Sequence, residues 1–155
     1  MLRYVAHDVA KLPAPARVCE FGSYNVNGSV RGLFVGEYIG VDLRAGDGVD
    51  VVADAATFTC EPVDVVVCTS LLEHCPYPGE VVANAERILR PGGVLILTAP
   101  NTDWQPHGVD GEGVGEEFYQ GIAYDDLAQW LGAFGHFGID YSGERQWFAV
   151  GIKSG

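Results

Sequence analysis

Positive charge is scarce in this chain. Nine Lys and Arg residues stand against 21 Asp and Glu, giving a formal net charge of −12 over 155 residues. Nucleic acids and anionic membranes reward Lys and Arg, so the composition argues against both as partners. No run of 20 apolar residues occurs, which leaves no candidate for a membrane-spanning helix. Cysteine is also sparse. Cys19, Cys60, Cys68 and Cys75 show no C-x-x-C spacing, so a cysteine zinc site is not expected, nor is any other metal. The start, Met1-Leu-Arg-Tyr-Val-Ala-His-Asp-Val, has no apolar core of a secretory signal. Free thiols in a reducing cytoplasm are therefore the expectation. The glycine pattern G-x-G-x-x-G is missing too, which counts against a nicotinamide-dependent dehydrogenase.

Hydrophobic residues make up 48% of the chain, enough for one domain over residues 1–155 that buries about 70% of its unfolded surface. Leu2, Val5, Val9 and Leu12 recur at helical spacing before Pro13-Ala-Pro15 breaks the segment. Strands are expected at about 17–21, 37–42, near 49–52, and at 64–69. The run Asp64-Val-Val-Val-Cys-Thr69 has the continuous apolar character of a strand buried on both faces. A short helix capped by Asn27 is expected to carry Val30, Leu33 and Phe34 on one face. Val81, Val82, Ala85, Ile88 and Leu89 form the stripe of a longer helix, with Arg90 favouring its end and Pro91-Gly92-Gly93 stopping it. A fifth strand spans 93–99. Residues 100–121 are rich in glycine and proline without periodicity, a long loop of the kind that is usually functional. Leu127, Trp130, Leu131 and Phe134 mark a last helix, and strands at 136–141 and 145–152 meet through Ser142-Gly143. Together these elements predict an α/β fold: a doubly wound, seven-stranded, mostly parallel sheet ending in an antiparallel hairpin.

The stretch Arg17-Val-Cys-Glu-Phe-Gly-Ser-Tyr-Asn-Val-Asn-Gly28 reads as a buried strand running into a polar, glycine-bearing turn. In doubly wound sheets such a turn faces the crevice where ligands bind. Asp42 and Asp54 then fall at the ends of the next two strands. Either acid alone would serve as an ordinary turn residue, but their order after Glu20 and Gly22 marks one crevice.

Val18-Cys-Glu-Phe-Gly-Ser23, Tyr38-Ile-Gly-Val-Asp42, Val52-Ala-Asp-Ala55, Asp64-Val-Val-Val-Cys-Thr-Ser-Leu-Leu-Glu-His74 and Leu89-Arg-Pro-Gly-Gly-Val-Leu-Ile-Leu97 carry a resemblance. In this order and spacing the chain resembles the class I S-adenosylmethionine-dependent methyltransferases of the small type 11 group, with their Rossmann-like fold. The resemblance runs from about residue 16 to 152. It implies S-adenosyl-L-methionine as cofactor, with Glu20, Gly22, Ser23 and Tyr24 lining its methionine end. Asp42, with Leu43 beside it, would take the ribose hydroxyls. Asp54 would accept from the adenine amino group and Ala55 would offer a backbone N–H. Ser70 and Leu71 would approach the methionine moiety. One position departs from the family pattern: Tyr24 stands where a second glycine is usual. The ring either points aside, with the turn reshaped around Asn25–Gly28, or alters the pocket.

Methyl transfer from a sulfonium needs positioning above all, and a general base only where the acceptor must lose a proton. The candidate bases are His107, in the 100–121 loop, and His74, with Glu73 beside it at the crevice rim. Trp104, Phe118 and Tyr119 are candidates for an apolar lid. No Asn/Asp-Pro-Pro-Tyr/Phe sequence occurs, which argues against an amino-methylating nucleic-acid enzyme of that type. A small-molecule acceptor is expected, at a site built by the loop and the N-terminal helix or completed by a protein partner or a homodimer. The alternative function is a catalytically silent methyltransferase-like binding or assembly subunit.

Overall fold

Valine-rich runs that suit a pleated, two-sided core form the centre of the molecule. The structure is a computed structural model, and it describes residues 12, 14–26, 28–110, 113, 115–141 and 145–155. Among the described residues there are seven strands: β1 Ala16–Phe21, β2 Gly36–Asp42, β3 Val51–Val52, β4 Val63–Thr69, β5 Leu89–Pro100, β6 His136–Tyr141 and β7 Gln146–Ile152. They form one sheet in the order β3-β2-β1-β4-β5-β7-β6. β1 to β5 are parallel, and β7 pairs antiparallel with both β5 and β6. The predicted seven-stranded architecture is thus the one observed. Among the described residues no helix is long and apolar enough to cross a membrane.

The register levels the strand ends. Phe21 pairs with Val41 and with Cys68, and Cys68 pairs with Leu97. The residues just beyond those positions therefore open together at one carboxyl edge. The order reverses between β1 and β4, where a crevice must form because successive connections leave in opposite directions.

The sheet's two faces are covered unequally. Helices α1 (Pro78–Ile88) and α2 (Tyr124–Leu131) both pack on one face, where Val81, Val82, Ala85, Ile88, Leu127 and Leu131 meet Val63, Val66 and Cys68 of β4. The other face holds a smaller cluster of Ala16, Val18, Val30, Val65, Val67 and Ile96. The α-helix predicted after Asn27 is only a 3-10 turn at Arg31–Leu33. Three glycines within residues 22–35 explain why, since each disfavours helix by about 1 kcal/mol relative to Ala. The connections from β2 to β3 and from β3 to β4 also lack helices, so strict strand–helix alternation does not hold. The helix expected at the N-terminus over Leu2, Val5 and Val9, the cap Asn27 and the Ser142-Gly143 turn lie outside the described residues.

Pro78 opens α1 at its first turn, where a missing N–H costs nothing, and Arg87 occupies the last turn. Arg90 does not extend that helix as expected. Its Nε pairs with Asp64 Oδ1 at 2.7 Å, at the start of β4. The helix stops at Ile88, so Leu89, expected on its stripe, instead opens β5, and Pro91-Gly92-Gly93 lies within that strand, where the β4–β5 register shifts between the Val63–Leu89 and Val65–Val94 pairs.

Candidate functional site

A cleft of about 590 Å³ opens at the carboxyl edge, a size typical of small-molecule sites. All twelve candidate site residues line it: Glu20, Gly22, Ser23, Tyr24, Asp42, Leu43, Asp54, Ala55, Ser70, Leu71, His74 and His107. Trp104 and Phe118 line it as well.

One end is built by the ends of β1, β2 and β3. Gly22 has φ +78°, and a Cβ there would lie 3.1 Å from Leu71 Cβ. The positive φ favours glycine, and its lack of a side chain lets the β1 turn lie close against the segment after β4. Ser70 adopts φ 51°, an uncommon left-handed conformation for a residue with Cβ and one that collects at ligand sites. Asp42 is oriented by two backbone donors: Tyr24 N–H gives to Oδ2 at 3.2 Å, and Arg44 N–H to Oδ1 at 2.9 Å. Asp54 Oδ1 accepts from Ala56 N–H at 2.8 Å and Oδ2 from the Tyr77 hydroxyl at 2.8 Å. Each carboxylate oxygen keeps a further acceptor site. Glu20 is buried and accepts from the Tyr38 hydroxyl at 2.8 Å. Burial pushes its carboxyl above the ordinary range, against the opposing pull of that hydrogen bond.

Tyr24 lines the cleft and packs against the β2–β3 connection. Its ring lies under the Arg44 guanidinium, 4.5 Å from Cζ to ring centroid, and over Gly46, where a Cβ would fall 2.2 Å from Tyr24 Cε2. Gly46, in the β2–β3 connection, thus makes room for the ring. Asn25 completes the reshaped turn: its N–H donates to Asp47 O at 2.9 Å, and its Oδ1 accepts from Gly28 N–H at 3.0 Å.

Sequence reasoning missed two residues that fix Asp54 and the turn after it. Tyr77 caps its carboxylate, and buried Asn84 on α1 donates to Ala55 O at 2.7 Å and Phe58 O at 2.9 Å, pinning the turn. An Asn on the inner stripe of an otherwise apolar helix was the available signal, because a buried amide must find partners.

The other end gathers Glu73, His74, His107 and Tyr119. Glu73 and His74 sit on a 3-10 turn, Leu72–His74, directly after β4. Glu73 is 1% exposed, and its Oε2 has no hydrogen-bond partner. Burial pushes its carboxyl up to about 8. The His74 ring bonds to the backbone of Phe118, while its Nδ1 is buried without a partner. Burial, then the neighbouring His107, holds its imidazole below the usual range. His107 Nδ1 lies 3.1 Å from Gln105 O. The three rings meet edge to face, with centroids 5.3 Å apart for His74–His107, 5.7 Å for His74–Tyr119 and 4.9 Å for His107–Tyr119. The Tyr119 hydroxyl is buried without a partner, and burial raises it to about 12.

The long segment after β5 is strapped down at both ends. Asn101 bridges to Ile122, Ile122 N–H donates to Pro100 O at 3.0 Å, and Arg145 Nη1 donates to Asp103 O at 3.1 Å. Gln120 joins the strap to the Glu73 turn, giving its N–H to Glu73 O at 2.8 Å and its Nε2 to Cys75 O at 2.9 Å. These bonds place His107 and Tyr119 over His74. Cys19 and Cys68 take no part in the site's chemistry: both are buried in the core, and burial pushes both far above the ordinary thiol range.

Comparison with known proteins gives a consistent picture. The family described as a methyltransferase domain matches residues 1–143. The ubiquinone biosynthesis O-methyltransferase of Burkholderia cenocepacia is 41% identical over 63 residues, 38% of this chain and 27% of that protein. Its counterpart from Actinobacillus pleuropneumoniae is 30% identical over 63 residues, 41% of this chain and 27% of that protein. The match therefore spans only about a quarter of those relatives' length. Among solved structures, the Burkholderia thailandensis 1,6-didemethyltoxoflavin-N1-methyltransferase with bound S-adenosylhomocysteine superposes with TM-score 0.71 at 19% identity, covering 99% of this chain and 78% of that one. The Synechocystis magnesium protoporphyrin IX methyltransferase with bound S-adenosylmethionine gives TM-score 0.67 at 18% identity, with 99% and 78% covered. At these identities the likeness shows the fold.

Proposed function

The chain belongs to the methyltransferase-domain family, and we propose that it transfers a methyl group from S-adenosylmethionine to a small-molecule acceptor held beside Glu73, His74 and His107. The observation that carries this reading is the division of one cleft into two ends of different chemistry. Three carboxylates, Glu20, Asp42 and Asp54, stand at successive strand ends on one side, and an imidazole pair faces the same space from the other.

The residues present fit the cofactor. When bound, S-adenosylmethionine supplies a methyl group already activated by its sulfonium charge. Asp42, held by two backbone N–H donors, presents acceptor oxygens suited to a pair of hydroxyls. Asp54 offers remaining acceptor capacity beside the Ala55 backbone, and Tyr77 fixes its direction. Glu20 adds negative potential, and Gly22, Ser23, Tyr24 and Leu43 form the wall around it. Ser70 and Leu71 stand between the two ends, where a methyl group and its acceptor would meet.

The acceptor end handles the proton. His74 Nδ1 and the free nitrogen of His107 are the lone pairs available to a nucleophile that must lose one. Gln120 ties the segment after β5 to the Glu73 turn at this end, and holding nucleophile and methyl group in line is the protein's contribution there. The O-methyltransferases among the relatives support oxygen as the accepting atom. A ligand that binds only the folded state raises its melting temperature by mass action. S-adenosylhomocysteine at millimolar concentration is expected to do so, and an unmoved melting temperature would overturn the reading.

A further inference from the structure

We propose that Glu73, His74 and His107 form a divalent-cation site, suited to Zn²⁺ or a neighbouring transition-metal ion, whose open position receives an acceptor oxygen. The acceptor's part rests on the methyl-transfer reading; the cation site does not.

The donor set is the first support. One carboxylate oxygen and two imidazole nitrogens converge, with ligand atoms all within 4.8 Å of one another. Two histidines and a carboxylate with a fourth position left open is an established pattern for catalytic zinc. With metal–ligand bonds of about 2.0–2.2 Å, closing the cluster onto one ion takes about an ångström of side-chain adjustment. His107, half-buried on the strap, has room to supply it.

The hydrogen bonds are the second support. His74 bonds to the Phe118 backbone, and His107 Nδ1 to Gln105 O. A backbone carbonyl on one ring nitrogen fixes the tautomer and leaves a lone pair on the other, the usual outer arrangement of a metal-bound histidine. The third support is unmet demand. Glu73 Oε2 and His74 Nδ1 are both buried with no partner, a costly state for any polar group. A cation satisfies both at once. The absence of C-x-x-C spacing does not bear on a site of this composition, which two separate segments assemble.

Coordination would define the acceptor class as a hydroxyl-bearing molecule, phenolic or enolic. With the ion bound, both imidazole lone pairs are committed to it and no longer serve as bases; the acceptor oxygen takes the open position, where the cation's charge lets it release its proton to solvent. The oxygen lone pair then forms the bond to the methyl carbon as the carbon–sulfur bond breaks, and that bond's electron pair stays on sulfur to give a neutral thioether. The Tyr119 ring packs edge to face on both imidazoles and holds them over the Glu73 turn.

Calorimetric titration of the chelator-stripped full chain with Zn²⁺ tests the site. One ion per chain is expected, with affinity reduced about 100-fold in His107→Asn, at the upper end of what losing even an outer partner of a metal ligand costs. His107 lies on the strap rather than in the core, so this variant is expected to fold; Glu73→Gln and His74→Asn serve as second and third probes. Absence of a saturable one-to-one isotherm would overturn the proposal. So would zinc binding retained in His107→Asn, which would point to thiol ligands such as Cys60 or Cys75. S-adenosylhomocysteine is titrated in parallel: zinc bound and S-adenosylhomocysteine refused would support the cation site and remove the methyl-transfer reading, whereas the reverse would remove the site alone.

Discussion

The two ends of the cleft differ in how completely the protein satisfies its own polar groups. At the carboxylate end all three acids are paired: Asp42 has two backbone donors, Asp54 has a backbone N–H and the Tyr77 hydroxyl, and Glu20 has Tyr38, while the Ser23 hydroxyl is buried without a partner. At the histidine end, Glu73 Oε2, His74 Nδ1 and the Tyr119 hydroxyl are all buried without partners. The first end is preorganised by strand termini and short turns, so a ligand meets groups already in place. The second is assembled from a 3-10 turn and a long strap, and its unmet hydrogen-bonding demand awaits a ligand. Binding energy is thus expected to reside at the first end and chemistry at the second, a division that substitutions can break or sharpen.

The sharpest separation comes from the histidine end. His74→Asn is expected to lower turnover by about 100-fold or more, the usual worth of a positioned group in proton handling, while leaving S-adenosylhomocysteine affinity within a few-fold. A steady-state assay set beside a binding isotherm reads this directly, and equal losses in both would merge the two ends. Asp42→Ala should do the opposite. Losing charge-assisted hydrogen bonds costs about 1.5–3 kcal/mol, so cofactor affinity should fall about 10- to 150-fold with the fold intact by circular dichroism.

Within the carboxylate end, Gly46→Ala forces a Cβ to within 2.2 Å of the Tyr24 ring. A loss of about 1–3 kcal/mol in stability is expected from such overpacking. Adding Tyr24→Gly should recover most of it, and Tyr24→Gly alone should keep cofactor affinity within a few-fold. If the double variant is no more stable than Gly46→Ala, the ring is not what Gly46 accommodates. The smallest effect concerns Glu20. Burial raises its folded carboxyl above the unfolded 4.5, so the folded state keeps a proton that the unfolded chain gives up. Stability is therefore present in full below 4.5 and declines as pH rises from there through the raised value. Glu20→Gln should flatten that decline, melting above the natural protein at neutral pH and level with it in acid. Melting curves of both proteins across that interval would show whether the slope disappears.

Much of this was legible in the chain itself, for physical reasons that differ by element. Val63–Thr69 is apolar without alternation because both its faces are buried, and that pattern names a central parallel strand. Asp42 and Asp54 stood out because acids at strand ends have nowhere to go but the crevice. His74 and His107 could each be named as candidates but not joined. The strap that brings them together has no periodicity, and its course depends on hydrogen bonds from Gln120 and Arg145 that no local pattern encodes. Tyr77 and Asn84 escaped notice because their partners lie more than 20 residues away. Arg90 read as a helix-end cation because a helix stripe runs up to it, yet the ion pair with Asp64 across the sheet fixes it instead.

Calorimetric titration with S-adenosylhomocysteine, run on the natural chain and on Asp42→Ala and repeated with NAD, tests the division of the cleft most directly. One site per chain with a micromolar dissociation constant, about −8 kcal/mol, is expected for the natural chain, with weakened binding in the variant and none of NAD. No heat with S-adenosylhomocysteine, or equal affinity in a folded Asp42→Ala, would contradict it.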